Sequence, residues 1–391
     1  MLKGFSIRYY VFIIFAMLSC DRNITDNETD EMIPKTSFSV SDFQTSDDCK
    51  TCHPDQYSQW SRSMHSFTAK DAKFFRDWAG EQHKRPSTGE DFCAQCHLPI
   101  AFLTDISVAG YSSPDAFQGS GIPAQVTEAV SCSFCHSMVQ TSTSVHTDPA
   151  LSGNATAAAE YFLYPGEGIQ FGSIADPESN SYHESVYSPI YNDSEVCLPC
   201  HNHIIRNKLI ETTFSEWNSN SFVAMTGEPS CQSCHMQEYA GSAAVGSKER
   251  TLHDHSFAGV NIDLSSPIDE GSQWYKDTSE LLKTALVIEY LSSDTLFSSI
   301  NADSLDFLVS INSTTAHNIP TGNAFVREAW LELLVISDQD TILVSGLVDS
   351  NTSDLDLDDD NLILFTSQLL DINGNITDSA SDAYDFVSTQ L

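Results

Sequence analysis

Apolar residues are spread unevenly along the chain, and their spacing changes character several times. Tyr9 to Leu18 is an unbroken apolar run of about ten residues behind the basic Lys3 and Arg8. That length suits the core of a secretory leader and is too short for a resident membrane helix. Asp21 to Thr36 is polar and acidic without periodicity, which predicts a flexible tether over 21–42. Residues 43–262 are rich in Ser, Gly, Pro and Asn and show no long periodic stretch, so short helices joined by long loops are expected. Gly271 to Leu291 sets Trp274, Leu281, Leu282, Ala285 and Val287-Ile288 at helical spacing, predicting a linking helix within 263–300. From Ser304 the pattern turns to strands, over Leu305–Asn312, Ala329–Ser337, Thr341–Ser345 and Asn361–Thr366. Asp338-Gln339-Asp340 and Asn373-Gly374 read as turns between them. Residues 301–391 are therefore expected to form an antiparallel β-sandwich-like domain. Tyr384 to Leu391 carries no closing strand signal, so that domain is expected to be cut short.

Charge narrows the partners. The chain has 54 acidic against 18 Lys and Arg residues, a formal charge of −36. Such a surface repels phosphate backbones, which excludes nucleic acid, and it would steer basic redox proteins. Met17-Leu18-Ser19-Cys20 resembles the site where bacterial signal peptidase cleaves before a lipid-modified cysteine, although Met17 and Leu18 replace commoner residues. Cys20 is also the one cysteine of eleven without a motif partner. The expectation is a leader over 1–20, lipidation of Cys20 and a membrane-anchored protein exported to the periplasm or cell surface. The rival is an ordinary cleaved leader.

The other ten cysteines fall into one pattern: Cys49-Lys-Thr-Cys52-His53, Cys93-Ala-Gln-Cys96-His97, Cys132-Ser-Phe-Cys135-His136, Cys197-Leu-Pro-Cys200-His201 and Cys231-Gln-Ser-Cys234-His235. Two thiols three positions apart lie on one side of a helical turn and can add across the two vinyl groups of a haem. The adjacent histidine then supplies the proximal nitrogen to the iron. Zinc sites, dithiol redox sites and disulfides do not require a histidine after every pair, and here one follows all five. The motifs predict five covalently attached haem c groups within 43–262, a multihaem cytochrome c domain of short helices and long loops. Five haems in so short a stretch must lie close together.

Eight histidines remain for the distal positions, and the methionines outside the leader are few, which favours bis-histidine haems. His65 follows the first motif on an expected helix, His183 precedes the fourth, and His317 sits in a turn leaving a strand. His253 and His255 alternate in an extended segment that would turn both rings to one side, with His255, beside Phe257, the preferred ligand. His83, His146 and His203 compete for the fifth place, and His203 stands too near His201 to cap the same iron. Arg327 either pairs with a haem propionate or decorates a strand.

The segment Cys49 to Trp60, continuing through Met64-His65-Ser-Phe67, resembles the opening of the cytochrome c-554 / c-prime domain family. Val130 to His136, His183 to Pro189, Cys231 to Met236, His317-Asn-Ile-Pro-Thr-Gly322 and Arg327 to Leu331 extend the likeness over roughly Phe43 to Leu334. The resemblance implies that His65 is a distal ligand and that His317 reaches back to the haem cluster. It also implies electron transfer, though the family includes relatives of hydroxylamine- and nitrite-converting enzymes. No Cys-x-x-Cys-Lys variant is present. The leading reading is an electron conduit between other redox proteins, cytochromes or an extracellular acceptor. The alternative is a multihaem oxidoreductase acting on a small nitrogen or sulfur species at one five-coordinate haem. A self-assembling oligomer or filament is the third.

Overall fold

The structure is a computed structural model that describes residues 37–71, 75, 89–108, 110–111, 113–141, 155–157, 161–205, 208–264, 267–291, 308–338, 340–349, 355–379 and 382–391. The expected leader with Cys20, most of the expected tether, His83 and His146 lie outside the described residues. Among the described residues, no helix is long and apolar enough to cross a membrane.

Short helices form where polar caps precede the motifs. The Thr45 hydroxyl accepts from the Asp48 amide, and the Asp48 carboxylate accepts from the Thr45 amide, opening Ser46–Lys50. Ser131 and Ser230 cap Cys132–Cys135 and Cys231–His235 through their hydroxyls. A proline begins Pro54–Ser61, and Gly89–His97 carries the second motif. The largest cluster of buried apolar side chains includes Phe43, Ile100, Phe117, Val126, Phe134 and Leu163, near the second and third motifs. Around the fourth and fifth motifs the core consists of Leu198 and Phe214 with Trp217 packed against them. Among the described residues this cluster is small, and a large apolar group would complete it.

Two short sheets organise the loops. Ile169–Gly172 runs parallel to Glu184–Tyr187, and Glu238–Ser242 pairs antiparallel with Glu249–His253.

Beyond residue 270 the observed elements revise several expectations. The helix Gln273–Lys283, capped by Ser272, stops at Thr284. Leu286–Leu291 is a strand paired antiparallel with Leu308–Ser313, so the linking helix ends short of Leu291. Val287, Ile288 and Tyr290 belong to residue types that favour strands, and a nonlocal partner decides between the two periods. The expected strand Ala329–Ser337 is two strands broken at Glu332. Glu328–Leu331 pairs with Ile363–Leu370, whereas Leu333–Ser337 forms a hairpin with Asp340–Ser345. Asp338, with φ of 54°, occupies the hairpin turn. Asp385–Ser388 pairs with Ile363–Leu370, so the segment after Tyr384 does supply a strand. These antiparallel strands lie in three small sheets, and Ile336 and Ile342 of the hairpin are 57% and 66% exposed.

The C-terminal strands meet the haem-motif region at the turn His317–Gly322. On the helix Thr213–Ser219, Glu216 accepts through Oε2 from the Asn318 amide at 3.1 Å and the Thr321 hydroxyl at 2.6 Å. The Ile319 and Leu391 backbones exchange hydrogen bonds of 2.9 and 2.8 Å, tying the turn to the last strand segment. Gly322 has φ of +71°, and a Cβ there would lie 2.6 Å from Arg327 Nη1 and 3.3 Å from Glu211. Only glycine suits both the conformation and the close approach.

Candidate functional site

Each motif winds its two cysteines and its histidine onto one turn. The amides of His53, His136 and His201 donate to the carbonyls of Cys49, Cys132 and Cys197 at 2.9, 2.9 and 3.0 Å. All ten motif thiols are free of disulfides. The motifs also adjoin one another. The Cys49 thiol contacts Cys132, which pushes Cys49 up, and Cys197 contacts Cys231 in the same way. Cys200 meets Cys96 and is pushed well up by that contact and by burial. Cys135, held up at about 12 chiefly by burial, senses Cys132 and Cys200. The third motif thus touches the first and lies near the fourth, and the fourth touches the second and the fifth.

Four motif histidines face a second histidine across a nearly constant gap. Ring centres are 6.2 Å apart for His53 and His183, 6.3 Å for His201 and His65, 6.2 Å for His136 and His255, and 6.3 Å for His235 and His317. Two imidazoles on opposite sides of one metal, with bonds of about 2 Å, have ring centres about 6 Å apart. Direct stacking would bring them closer.

Hydrogen bonds select the ligating nitrogen. His53, His136 and His235 each direct Nδ1 at a backbone carbonyl at 2.6 Å, from Ala243, Phe171 and Ala258 respectively. His255 Nδ1 meets the His253 carbonyl and His317 Nδ1 the Asn318 carbonyl, both at 2.9 Å. A carbonyl only accepts, so Nδ1 carries the proton and Nε2 keeps its lone pair for a metal. Burial lowers His136 and His235, and it takes His255 to about 4 and His65 to about 3, with the neighbouring motif histidines adding to the effect.

Local elements explain the placements. Strand Glu184–Tyr187 begins beside His183, whose amide donates to Asn180 at 3.0 Å. The parallel strand supplies Phe171, whose amide and carbonyl both engage His136. The hairpin Glu238–His253 sets Ala243 at its turn under His53. Buried Gln59 accepts from the His255 amide at 3.1 Å, and the Val130 amide donates to the His65 carbonyl at 3.1 Å.

Among the described residues, His253 faces no motif histidine, and its Nδ1 lies 2.9 Å from the Met236 carbonyl. Of the candidates for the remaining distal place, His83 and His146 lie outside the described residues, and only the backbone of His203 is described, in strand His203–Ile205. Arg327 follows the turn Ala324–Val326 rather than standing within a strand. Burial lowers its pKa, its Nη1 donates to the Thr321 carbonyl, and its buried Nε has no partner among the described residues. The carbonyls of Ala243, Phe171 and Ala258, and the Glu216 clamp, had no signal in the sequence, because any residue type presents a carbonyl.

This donor set fits haem c: paired free thiols, an Nε2 left free beside three of the pairs, and four sets of opposed imidazoles at the spacing of one iron. Residues 48–137 match the family model described as Cytochrome c554 and c-prime. No curated protein matches the chain. The crystal structure of a penta-heme cytochrome c552 from Thermochromatium tepidum shares its fold at a TM-score of 0.54 and 19% identity, over 90% of this chain and 85% of that one.

Proposed function

We propose that this chain, a multihaem c-type cytochrome, holds five haems through Cys49, Cys52, Cys93, Cys96, Cys132, Cys135, Cys197, Cys200, Cys231 and Cys234, and conducts electrons along them. The observation that carries the reading is the set of four opposed pairs, His53–His183, His201–His65, His136–His255 and His235–His317, each at the spacing of two ligands on one metal. Haem c supplies a one-electron couple at its iron when bound. The protein's own part would be to hold each iron between two facing imidazoles and to set the ring planes through backbone carbonyls.

The contacts between motifs support a branched order, first to third to fourth, with the second and fifth both set against the fourth. His97 and one of His83, His146 or His203 complete the set. The orphaned Nε of Arg327 suits an anionic haem propionate. The C-terminal strands act as a β-sandwich-like buttress that delivers His317. The apolar leader and Cys20 support export and lipid anchoring at the periplasmic or cell-surface side. The charge of −36 suits exchange with basic redox proteins or cytochromes, or delivery to an extracellular acceptor.

Optical and electron paramagnetic resonance spectra of the purified holoprotein, with and without carbon monoxide and nitrite, test this. Five low-spin haems that ignore both ligands are expected. A high-spin haem that binds either one would replace the conduit by the oxidoreductase reading, with that haem as its site. Alanine variants of His83, His146 and His203 are expected to leave one high-spin haem in a single case, which identifies the fifth ligand.

A further inference from the structure

One short segment, His253 to Ala258, touches the axial histidines of three motifs. His255 opposes His136, the Ala258 carbonyl accepts from His235 Nδ1, and between them Phe257 packs its ring on His65, which opposes His201. The Phe257 and His65 ring centres are 4.3 Å apart, and Phe257 also meets the edge of His255 at 5.9 Å.

Two features set this contact apart. The His65 Nδ1 is buried and has no hydrogen-bond partner among the described residues, whereas its counterparts His255 and His317 are each oriented by a carbonyl. Without that bond, the rotation of the His65 imidazole about its metal bond is left to packing. The His65 and His201 planes stand 58° apart, while the other three pairs lie within 19° to 28°. The second feature is the backbone: Phe257 has φ of +46°, in the left-handed region that a bulky residue rarely enters. The segment keeps a large ring at a strained position because it is pinned on both sides, by His255 to Gln59 and by Ala258 to His235.

We propose that Phe257 is a positioning residue that takes the place of the missing hydrogen bond, fixing the plane of His65 and with it the spectroscopic and redox character of the fourth-motif haem. The proposal rests on the reading of His65 as that haem's distal ligand. The angle between two axial imidazole planes governs the splitting of the iron d orbitals, so a rotated pair gives a resonance distinct from those of near-parallel pairs. The ring also stands between His65 and His255, in contact with both.

The test uses the full-length, haem-loaded protein as Phe257→Ala, Phe257→Leu and His65→Ala. Leucine is included because it fills the space without a ring should the alanine variant fail to load haem. The expected result is one low-spin resonance, that of the rotated pair, shifting or broadening in both Phe257 variants, with a shifted midpoint potential for that haem alone. His65→Ala should abolish the same resonance and create a high-spin haem. If His65→Ala behaves so while both Phe257 variants retain the wild-type spectrum and potential, the positioning role is wrong and the ligand assignment stands. A uniform shift of every resonance would also overturn it, since that reports general loosening. If His65→Ala leaves all haems low-spin, the ligand assignment itself fails.

Discussion

Glu216 offers a quantitative handle on the His317 turn. Its carboxylate accepts from the Asn318 amide and the Thr321 hydroxyl, so it grips the turn on both sides of the Ile319-Pro320 step. A hydrogen bond to a charged group contributes roughly 1.5–3 kcal/mol, with a solvent-exposed one at the low end or below. The Asn318 contact is exposed and the Thr321 contact partly buried. Glu216→Ala is therefore expected to loosen the turn by about 2–3 kcal/mol, which multiplies the population with His317 detached by roughly 30- to 150-fold. Carbon monoxide binds a reduced six-coordinate haem only while the distal ligand is off, so its binding rate reads that population directly. Stopped-flow mixing should show one haem in Glu216→Ala binding carbon monoxide faster by about that factor. Glu216→Gln, which keeps one acceptor, should fall between, and His317→Ala should open the same haem fully. A Glu216→Ala rate equal to wild type, beside a His317→Ala variant that opens, would refute the clamp.

Three other outcomes follow from particular contacts. Replacing Cys197 and Cys200 together by serine should remove one haem by mass and lower the thermal midpoint by more than about 5 °C, because Leu198, Phe214 and Trp217 are the apolar core there; an unchanged midpoint would contradict the view that haem completes this core. The haem bound by His65 should titrate at a higher potential than the haem held by His136 and His255, since an imidazole whose Nδ1–H is hydrogen-bonded is the stronger donor to ferric iron; spectroelectrochemistry resolved by resonance would reverse this if the order is opposite. Lys248 and Arg250 hold Asp176 below the ordinary carboxylate range, and the pair ties the loop before His183 to the hairpin. With a depressed pKa, the tie is complete above the ordinary carboxylate value and is lost only as pH falls through the lowered one. Proteolysis of that loop should thus be flat from pH 7 to about 5 and rise only in stronger acid, whereas Asp176→Asn should be cut at the acid rate throughout.

What the chain announces by itself is the chemistry that needs only neighbours in sequence. Two cysteines and a histidine on one turn define a haem attachment wherever the turn lies, so the five motifs and ten thiols were legible without a fold. The same holds for the hairpin turn at Asp338, which is settled within a few residues. Distal ligation is different, because it relates two rings through space. His65 stands twelve positions after His53, yet it faces His201, and His183 crosses back to His53. The periodicity of Val287 to Tyr290 could serve helix or strand until Leu308–Ser313 arrived as a partner. The carbonyls that fix the tautomers, the left-handed Phe257 backbone conformation and the Glu216 clamp carry no residue signature of their own. Only tertiary structure could decide these, since each depends on which distant segment the packed chain brings within a few ångströms.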